Sequence, residues 1–340
     1  MVRVFGSECT YIDVHTGLSV DSHPSVVDGA PIQFDLANGW PLFRRVPIVL
    51  PRRAVGYVRP MRGGAQAHLL RADNGHHYVV KFINNPQHRR ILINELLSAI
   101  FLEHLGISTP PVDVIAVDPE FLAANPNLHL RSGSQRIDVQ PGLHFGSQYP
   151  GDPRLDQIHD FLPDTLVPHV INLDEFLGIL VFDKWVSNTD GRQSIFYRTN
   201  IAAAGEAAKP AWIVRMIDHG LAFNGWHWNF PDAPRQGLYG RTVVYNDVRS
   251  IDNFQPWLDR LMAIPEDVIT GAWLRVPKTW IGQDARELDS LLKRLSTRRP
   301  RVPELVATSA ASRGFRDWSL GNPRKPVARQ GNLPRESCIA

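Results

Sequence analysis

The sequence has few cysteines and no long apolar run. Only Cys9 and Cys338 occur among 340 residues, close to opposite ends of the chain. A disulfide framework is therefore not expected, and a cysteine-based zinc site is excluded. The longest wholly apolar run, FLGILVF at Phe176–Phe182, is too short to cross a bilayer. The first residues also lack the basic start and apolar stretch of a secretory signal. We therefore expect a cytoplasmic protein without membrane contact.

Several common catalytic motifs are also missing. The 13 histidines include His76-His77, His219 and His227, but none has the HExxH or Cys/His spacing of a zinc site. No GxSxG motif and no Walker A motif occurs in the chain. The sequence therefore gives no support for a zinc enzyme, a serine hydrolase of that type or a P-loop nucleotidase.

The net charge of +3 conceals an uneven distribution. Residues 298–340 contain nine Arg or Lys against three Asp or Glu, which gives +6 and leaves −3 for the rest of the chain. The same segment contains five prolines and little hydrophobic periodicity. This composition predicts a basic, disordered tail. Such a tail is either simply solvated or available for contact with nucleic acid or acidic partners.

The remaining pattern predicts an α+β protein with two lobes. Residues 1–45 are treated as an N-terminal extension, and residues 46–150 as a strand-rich N-lobe with a hairpin turn at Asp73-Asn74-Gly75 and one helix that ends at Gly106. The Pro-, Gly- and Asp-rich stretch GSQYPGDPRLD predicts the boundary between the lobes. Residues 151–297 then form a mainly helical C-lobe with one antiparallel hairpin, from SIFYRT and WIVRMID.

Lys81 and Glu95 are two charged residues in unusual surroundings. Lys81 lies in the strand-like run YVVKFI, where an exposed position on an edge strand is the alternative explanation. Glu95 lies on a helix whose neighbours three and four positions away are apolar or small. Because an ionised carboxylate on such a face needs a cation, we predict that Glu95 pairs with Lys81.

Paired glycines precede this strand. Gly63 and Gly64 lead into the hairpin that carries Lys81. Such glycines are usually just a turn, but they also allow backbone N–H groups to approach phosphate oxygens closely. Gly63 and Gly64 are therefore candidate nucleotide-binding residues.

Two aspartates are predicted to meet at one end of the C-lobe hairpin. Asp190 lies in Asn-Thr-Asp-Gly, just before the first strand, and Asp218 ends the second strand. In an antiparallel pair the start of one strand lies beside the end of the other. A plain turn does not need this convergence, whereas a metal–nucleotide site does, because Mg²⁺ is held by one or two carboxylates plus phosphates.

Together these residues resemble the HipA-like kinase family, a branch of the protein-kinase-like and phosphatidylinositol-kinase-like superfamily. The likeness is carried by the Asn-Thr-Asp string at residues 188–190, by IDHGLAF and by the Gly, Lys and Glu positions upstream. It implies a two-lobed kinase-like fold with ATP and Mg²⁺ as cofactors. By the same resemblance Lys81 contacts phosphates, Glu95 holds Lys81, Asp190 is the catalytic base and Asp218 binds the metal.

One position departs from that family pattern. Relatives usually have an Asn metal ligand five residues after the catalytic Asp, but here the residue is Ile195. Gln193 or Ser194 offers an oxygen ligand if the loop is shorter. Arg192 resembles the basic residue near this loop in relatives and is expected either to screen charge or to be a solvated turn residue.

The resemblance implies a kinase that phosphorylates Ser or Thr of a protein substrate, with a regulatory partner protein as a further expectation. Three alternatives stay open. In the first, the acceptor is a lipid or a small molecule. In the second, which Ile195 favours, the chain is a non-catalytic pseudokinase that binds nucleotide. In the third, the chain is a nucleic-acid-associated regulator that uses its basic tail.

Overall fold

The computed structural model describes residues 4–5, 8–9, 50–155, 157–201, 209–313 and 315. The chain divides into two compact units, Met1–Pro47 and Ile48–Ala340. In the first unit, strands β1 (Val4–Phe5) and β2 (Glu8–Cys9) pair antiparallel. All further description concerns the second unit, of which residues 50–150 are here called the barrel half and residues 151–315 the helical half.

The barrel half consists of a small closed barrel, a second hairpin and two helices. Their bounds in chain order are β3 (Arg52–Pro60), β4 (His68–Ala72), β5 (His77–Lys81), α1 (Arg90–Leu105), β6 (Val112–Val117), α2 (Pro119–Ala124), β7 (His129–Ser132), β8 (Gln135–Asp138) and β9 (Gly142–Gln148). The barrel order is β3-β4-β5-β9-β6, closed by a parallel β3–β6 pair. Tyr78 and Val80 of β5 face the barrel core, so that Val79 and Lys81 face the opposite side, as strand alternation requires.

The helical half contains one three-stranded sheet and six α-helices in its described residues. Their bounds are β10 (Ile158–His159), α3 (Glu175–Val186), β11 (Gln193–Ile201), β12 (Lys209–Ile217), α4 (Gln255–Ala263), α5 (Glu266–Gly271), α6 (Lys278–Ile281), α7 (Ala285–Arg298) and α8 (Val302–Arg313). Strands β11 and β12 form the expected antiparallel hairpin, with Gln193 opposite Ile217, and β10 pairs with the other edge of β11.

Helix α1 connects the two halves. It ends at Gly106, whose φ of 65° places it in the left-handed region that glycine adopts most readily. Its apolar residues, among them Leu92, Leu97 and Phe101, belong to the same core as Phe176 and Trp185 of α3. The expected division at residue 150 therefore does not separate two compact units, because this helix is buried in the core of the helical half.

The predicted disorder of residues 298–340 is wrong for the part that the structure describes. Arg298 ends α7 with its side chain buried against Asp232, and α8 follows. Val302, Val306 and Ala310 recur every four residues on one face of α8 and are fully buried. The sequence did not predict this helix, because its apolar stripe is short and the surrounding arginines and prolines are typical of a disordered segment. Residues 316–340 lie outside the described part of the chain.

A truncation tests whether α8 is part of the folded protein. A chain that ends at Thr297 loses Val302, Val306 and Phe315, whose burial stabilises the fold by about 1.5–3 kcal/mol each. We expect a thermal midpoint many degrees below that of the full chain. A chain that ends at Phe315 keeps these contacts and is the matched control. Equal thermal midpoints for the full chain and the chain that ends at Thr297 would show that α8 does not stabilise the rest of the folded protein.

No helix within the described ranges combines the length and apolarity that a bilayer crossing requires.

Candidate active site

A cleft lies between the barrel and the β11–β12 hairpin. It encloses about 1030 Å³, part of it open to solvent. The barrel contributes Val79 and Phe145, and the hairpin contributes Ile195 and Met216, so that two apolar walls face each other. Three of the charged residues on its lining contact one another, namely Lys81, Glu95 and Asp218. The cleft thus combines apolar walls with a charged site.

Lys81 lies at the centre of that charged site. Its ammonium group donates hydrogen bonds to Glu95 Oε1 and to Asp218 Oδ1, the latter at 2.8 Å. Lys81 and Glu95 are both buried, whereas the Asp218 side chain is 35% exposed and faces the cleft. The predicted Lys81–Glu95 pair is therefore present, and the sequence analysis did not foresee that Asp218 contacts the same ammonium.

The close contacts determine the charges of these groups. Burial lowers the pKa of Lys81, but the two carboxylates outweigh it and raise the pKa of the ammonium above its usual range. The Lys81 charge in turn lowers the pKa of Asp218 to about 2, although burial opposes this shift. Lys81 is thus a cation and Asp218 an anion at neutral pH. A carboxylate that is ionised and open to the cleft is a suitable ligand for a hard divalent cation.

Helix α1 also contacts the backbone of the two residues that follow Asp218. Glu95 Oε1 accepts a hydrogen bond from the His219 backbone N–H at 3.1 Å. Gly220 passes so close to the helix that an added Cβ would lie 2.7 Å from Ile91 Cγ2, so that a side chain there would force the backbone apart. Asp218 itself has a φ of 57°, which is uncommon for a residue other than glycine. Glu95 therefore orients both Lys81 and the turn that presents Asp218.

Asn94 is a positioning residue that the sequence analysis missed. Its Nδ2 donates to the carbonyls of Gly220, Ala222 and Gly225 at 2.8–3.0 Å. Its Oδ1 accepts from Trp228 Nε1 at 2.8 Å. All polar atoms of this buried amide are thereby used to fix the segment after Asp218. The sequence signal was a second polar residue beside Glu95 in the otherwise apolar stretch 91–97 of this helix.

Asp190 lies on the loop between α3 and β11. Its backbone N–H donates to Asn188 Oδ1 at 3.2 Å, and its carbonyl accepts from the Gly237 N–H at 3.1 Å. Its carboxylate accepts from the Gly191 N–H at 2.8 Å and lies 3.4 Å from Gln193 Nε2. The carboxylate is half-buried, and the hairpin register places the start of β11 beside the end of β12 that carries Asp218.

Strand alternation separates the candidate ligands on β11. Gln193 and Ile195 line the cleft. Ser194 lies between them and is buried on the opposite face with Phe196, so that its hydroxyl is turned away from the cleft. The expectation that Ser194 serves as a metal ligand is therefore wrong, while the Gln193 amide remains a candidate. Ile195 presents a hydrocarbon surface where relatives are expected to have a metal-binding amide.

Arg192 is buried and pairs with an acidic residue. Its side chain is buried and forms two hydrogen bonds with Asp183, Nε to Oδ2 at 2.9 Å and Nη2 to Oδ1 at 2.6 Å. Nη1 lies 2.7 Å from the Ile217 carbonyl and 3.1 Å from His219 Nδ1. Burial and the Arg192 charge together hold the pKa of His219 well below its usual range, so that its ring is neutral. Arg192 is therefore not a solvated turn residue; its charge lies beside Asp183 and also contributes to the lowered pKa of Asp218.

The loop between β3 and β4, which contains Gly63 and Gly64, forms one side of the cleft. Gly63 lines the cleft and has a φ of 119°, a backbone conformation that would be strained for any residue with a side chain. Gly64 lies against Gln87, since an added Cβ would come within 2.9 Å of Gln87 Nε2. The side chain of Gln66 fixes the loop by two hydrogen bonds of 2.7 Å with the backbone of Arg131. The structure thus places Gly63 at the cleft and Gly64 beside it.

The described residues contain no cluster of three or more His, Cys, Asp or Glu side chains that would hold a metal without help. Asp218 offers one ionised carboxylate and Gln193 one amide oxygen. Such a donor set fits a magnesium ion that takes its remaining ligands from phosphates and water. It does not fit a metal that is permanently held by protein groups alone.

Comparisons with known proteins give a match to one sequence family and weak similarity to solved structures. The sequence model for "HipA-like kinase" matches residues 57–298, which include Lys81, Glu95, Asp190 and Asp218. A solved structure of the Golgi casein kinase is similar over 77% of this chain and 74% of that chain, with 14% identity and a TM-score of 0.42. A second, the Golgi casein kinase with Mn/ADP bound, covers 78% and 74%, with 11% identity and a TM-score of 0.38. No curated protein sequence matches the chain significantly.

Proposed function

Because the chain belongs to the HipA-like kinase family, we propose that it transfers the γ-phosphoryl group of ATP to a hydroxyl group, most directly that of a Ser or Thr in a protein. The observation that carries this proposal is the three-residue charged site, in which Lys81 contacts both Glu95 and Asp218 at the end of an apolar cleft. An ammonium beside a metal-binding carboxylate is suited to phosphates, and an apolar slot is suited to a purine ring.

The barrel half and the hairpin would bind the nucleotide together. Val79 on one wall and Met216 on the other would contact the two faces of the purine ring. Lys81 would contact phosphate oxygens, and Glu95 would keep its ammonium in place. Asp218 and Gln193 would hold Mg²⁺, which supplies charge neutralisation to the phosphates when it is bound.

Asp190 would act on the acceptor. Its carboxylate would accept the proton of the acceptor hydroxyl as that oxygen forms a bond to the γ-phosphorus. The bond between the γ-phosphorus and the bridging oxygen then breaks, and ADP leaves with the electron pair. The backbone hydrogen bonds to Asn188 and Gly237 hold the carboxylate in one place, which is what a positioned base requires.

A non-catalytic nucleotide-binding protein is the second candidate. Ile195 favours it, because this side chain lines the cleft and cannot ligate a metal ion. A kinase with one protein-held metal ion and a pseudokinase both require Asp218, but only the kinase requires Asp190. The two candidates are therefore separated by turnover rather than by nucleotide binding.

Replacing Asp218 by Asn tests the metal–nucleotide part of the proposal. The change removes an ionised ligand, so that Mg²⁺-ATP affinity should fall by about 10- to 100-fold, the loss typical of a damaged metal site. ATP affinity without metal should be kept, because Lys81 remains. Isothermal titration with and without Mg²⁺ measures both quantities. Asp259→Asn, which removes the same charge from an exposed position on α4, is the control. Equal Mg²⁺-ATP affinity of Asp218→Asn and wild type would remove Asp218 from the site.

The acceptor class is tested separately. Purified protein is incubated with Mg²⁺ and γ-labelled ATP in the presence of cell protein, of lipid vesicles or of a small-molecule extract. Label on Ser or Thr, located by mass spectrometry, supports a protein acceptor. Label that appears only in lipid or in small molecules would overturn the protein acceptor and leave the phosphotransferase intact.

A further inference from the structure

The Arg192 guanidinium contacts the chain on both sides of Asp218. Ile217, whose carbonyl accepts a hydrogen bond from Arg192 Nη1 at 2.7 Å, immediately precedes Asp218. His219, whose Nδ1 lies 3.1 Å from the same nitrogen, immediately follows it. Asp218 has a φ of 57°, so its backbone adopts an uncommon conformation between these two contacts. One buried side chain therefore holds both neighbours of the proposed metal ligand.

The same guanidinium is linked to the Asp190 loop through Asp183. The Asp183 carboxylate accepts two hydrogen bonds from Arg192 and one from Asn188 Nδ2, the last at 3.0 Å. Asn188 Oδ1 in turn accepts from the Asp190 N–H at 3.2 Å. Asp183 is thus the junction between the guanidinium and the loop that carries the proposed base.

The segment that contains Gly237 packs against Asp183 and Arg192. Gly237 has a φ of 72°, and a Cβ added to it would lie 2.4 Å from Asp183 Cβ. Its N–H donates to the Asp190 carbonyl at 3.1 Å, and the Arg192 N–H donates to the Leu238 carbonyl at 3.4 Å. The close approach of Gly237 to Asp183 therefore also fixes the loop that carries Asp190.

We propose that Arg192 and Asp183 form a positioning pair that sets the distance and orientation of Asp190 relative to Asp218. The inference rests on the proposed function, since it concerns the same two carboxylates. Neither member of the pair lines the cleft among the described residues, so that both act through other residues. A salt bridge that only stabilised the fold would need no contact with both neighbours of Asp218 and with the loop of Asp190.

Arg192→Lys is the variant of choice. A lysine keeps the positive charge beside Asp183, but it cannot donate in the bidentate fork and reach the Ile217 carbonyl at the same time. Misplacement of catalytic groups by about 1 Å can lower turnover by about 100-fold. We therefore expect kcat to fall by roughly 10- to 100-fold, and the Mg²⁺ concentration at half-maximal rate to rise about tenfold. The KM for ATP at saturating Mg²⁺ should stay close to the wild-type value.

The chain offers a matched control in Arg298→Lys. Arg298 is also a buried arginine paired with a carboxylate, that of Asp232, and it donates to the carbonyls of Lys184 and Trp185. It contacts neither the Asp190 loop nor the residues around Asp218 in the hydrogen bonds that the structure describes. Arg298→Lys should lower the thermal midpoint but leave kcat and the Mg²⁺ requirement of the folded enzyme unchanged.

The outcomes are distinguishable. Arg192→Lys that only lowers the thermal midpoint, as Arg298→Lys does, would overturn the inference. If Arg192→Lys does not fold, the double variant Asp183→Asn/Arg192→Gln, which removes both buried charges, should show the same fall in kcat with an unchanged KM for ATP.

If the wild type binds Mg²⁺-ATP without turnover, the proposed catalysis fails, and the inference is tested on binding. Arg192→Lys must then weaken Mg²⁺-ATP but not metal-free ATP, and equal affinities would overturn it. A wild type that binds no nucleotide would overturn both.

Discussion

Replacing Asp190 by Asn is expected to reduce the turnover of Mg²⁺-ATP by roughly 10²- to 10⁴-fold, the range that a general base contributes. The nucleotide affinity should stay close to that of the wild type, because the interaction is used mainly in the transition state. The Asn Oδ1 can still accept the hydrogen bond that the Gly191 N–H donates at 2.8 Å, so that the loop should keep its conformation.

Steady-state kinetics and isothermal titration separate these two effects. Asp259→Asn again serves as the control for the loss of one negative charge. Unchanged turnover of Asp190→Asn, in a preparation whose wild type is active, would mean that residues 188–191 are only a turn after α3.

The second large effect is expected for Lys81→Met. The change leaves the buried Glu95 carboxylate without its cation, and breaking a buried pair in this way typically destabilises a protein by about 3–5 kcal/mol. Phosphoryl transfer should be lost as well, because the ammonium that would contact the phosphates is gone. The melting temperature and the nucleotide affinity of this variant should therefore fall together.

The double variant Lys81→Met/Glu95→Gln separates the two roles of the pair. It removes both buried charges, so that most of the stability should return, while Mg²⁺-ATP binding and turnover should not. Glu95→Gln alone should impair turnover less than Lys81→Met, because its amide oxygen can still accept from Lys81. Wild-type nucleotide affinity in the double variant would show that Lys81 does not contact phosphate.

Much of the site could be predicted because single residues conflicted with their local pattern. A lysine in an apolar strand and a glutamate on an apolar helix each required a partner, and the structure pairs Lys81 with Glu95. The end of the hairpin at which Asp190 and Asp218 lie followed from the geometry of antiparallel strands.

Other features could not be predicted because they depend on segments far apart in the sequence. Asn94 and Asp183 act on backbone carbonyls and on a guanidinium that only the folded chain brings near them. Arg192 directly precedes β11, and its side chain is buried because its partners, Asp183 and the backbone carbonyl of Ile217, come near it only in the folded chain. Ser194 was misassigned because neighbouring residues of a strand lie on opposite faces, and the sequence alone did not show which face of β11 lines the cleft.

The central claim is that this cleft transfers a phosphoryl group from ATP. The most direct test is the formation of ADP and of labelled acceptor by purified protein with Mg²⁺ and γ-labelled ATP, compared with Asp190→Asn at equal nucleotide occupancy. We expect transfer by the wild type that depends on Mg²⁺ and on Asp190. Tight Mg²⁺-ATP binding by the wild type, with no transfer to protein, lipid or small molecules, would contradict it and identify a non-catalytic nucleotide-binding protein.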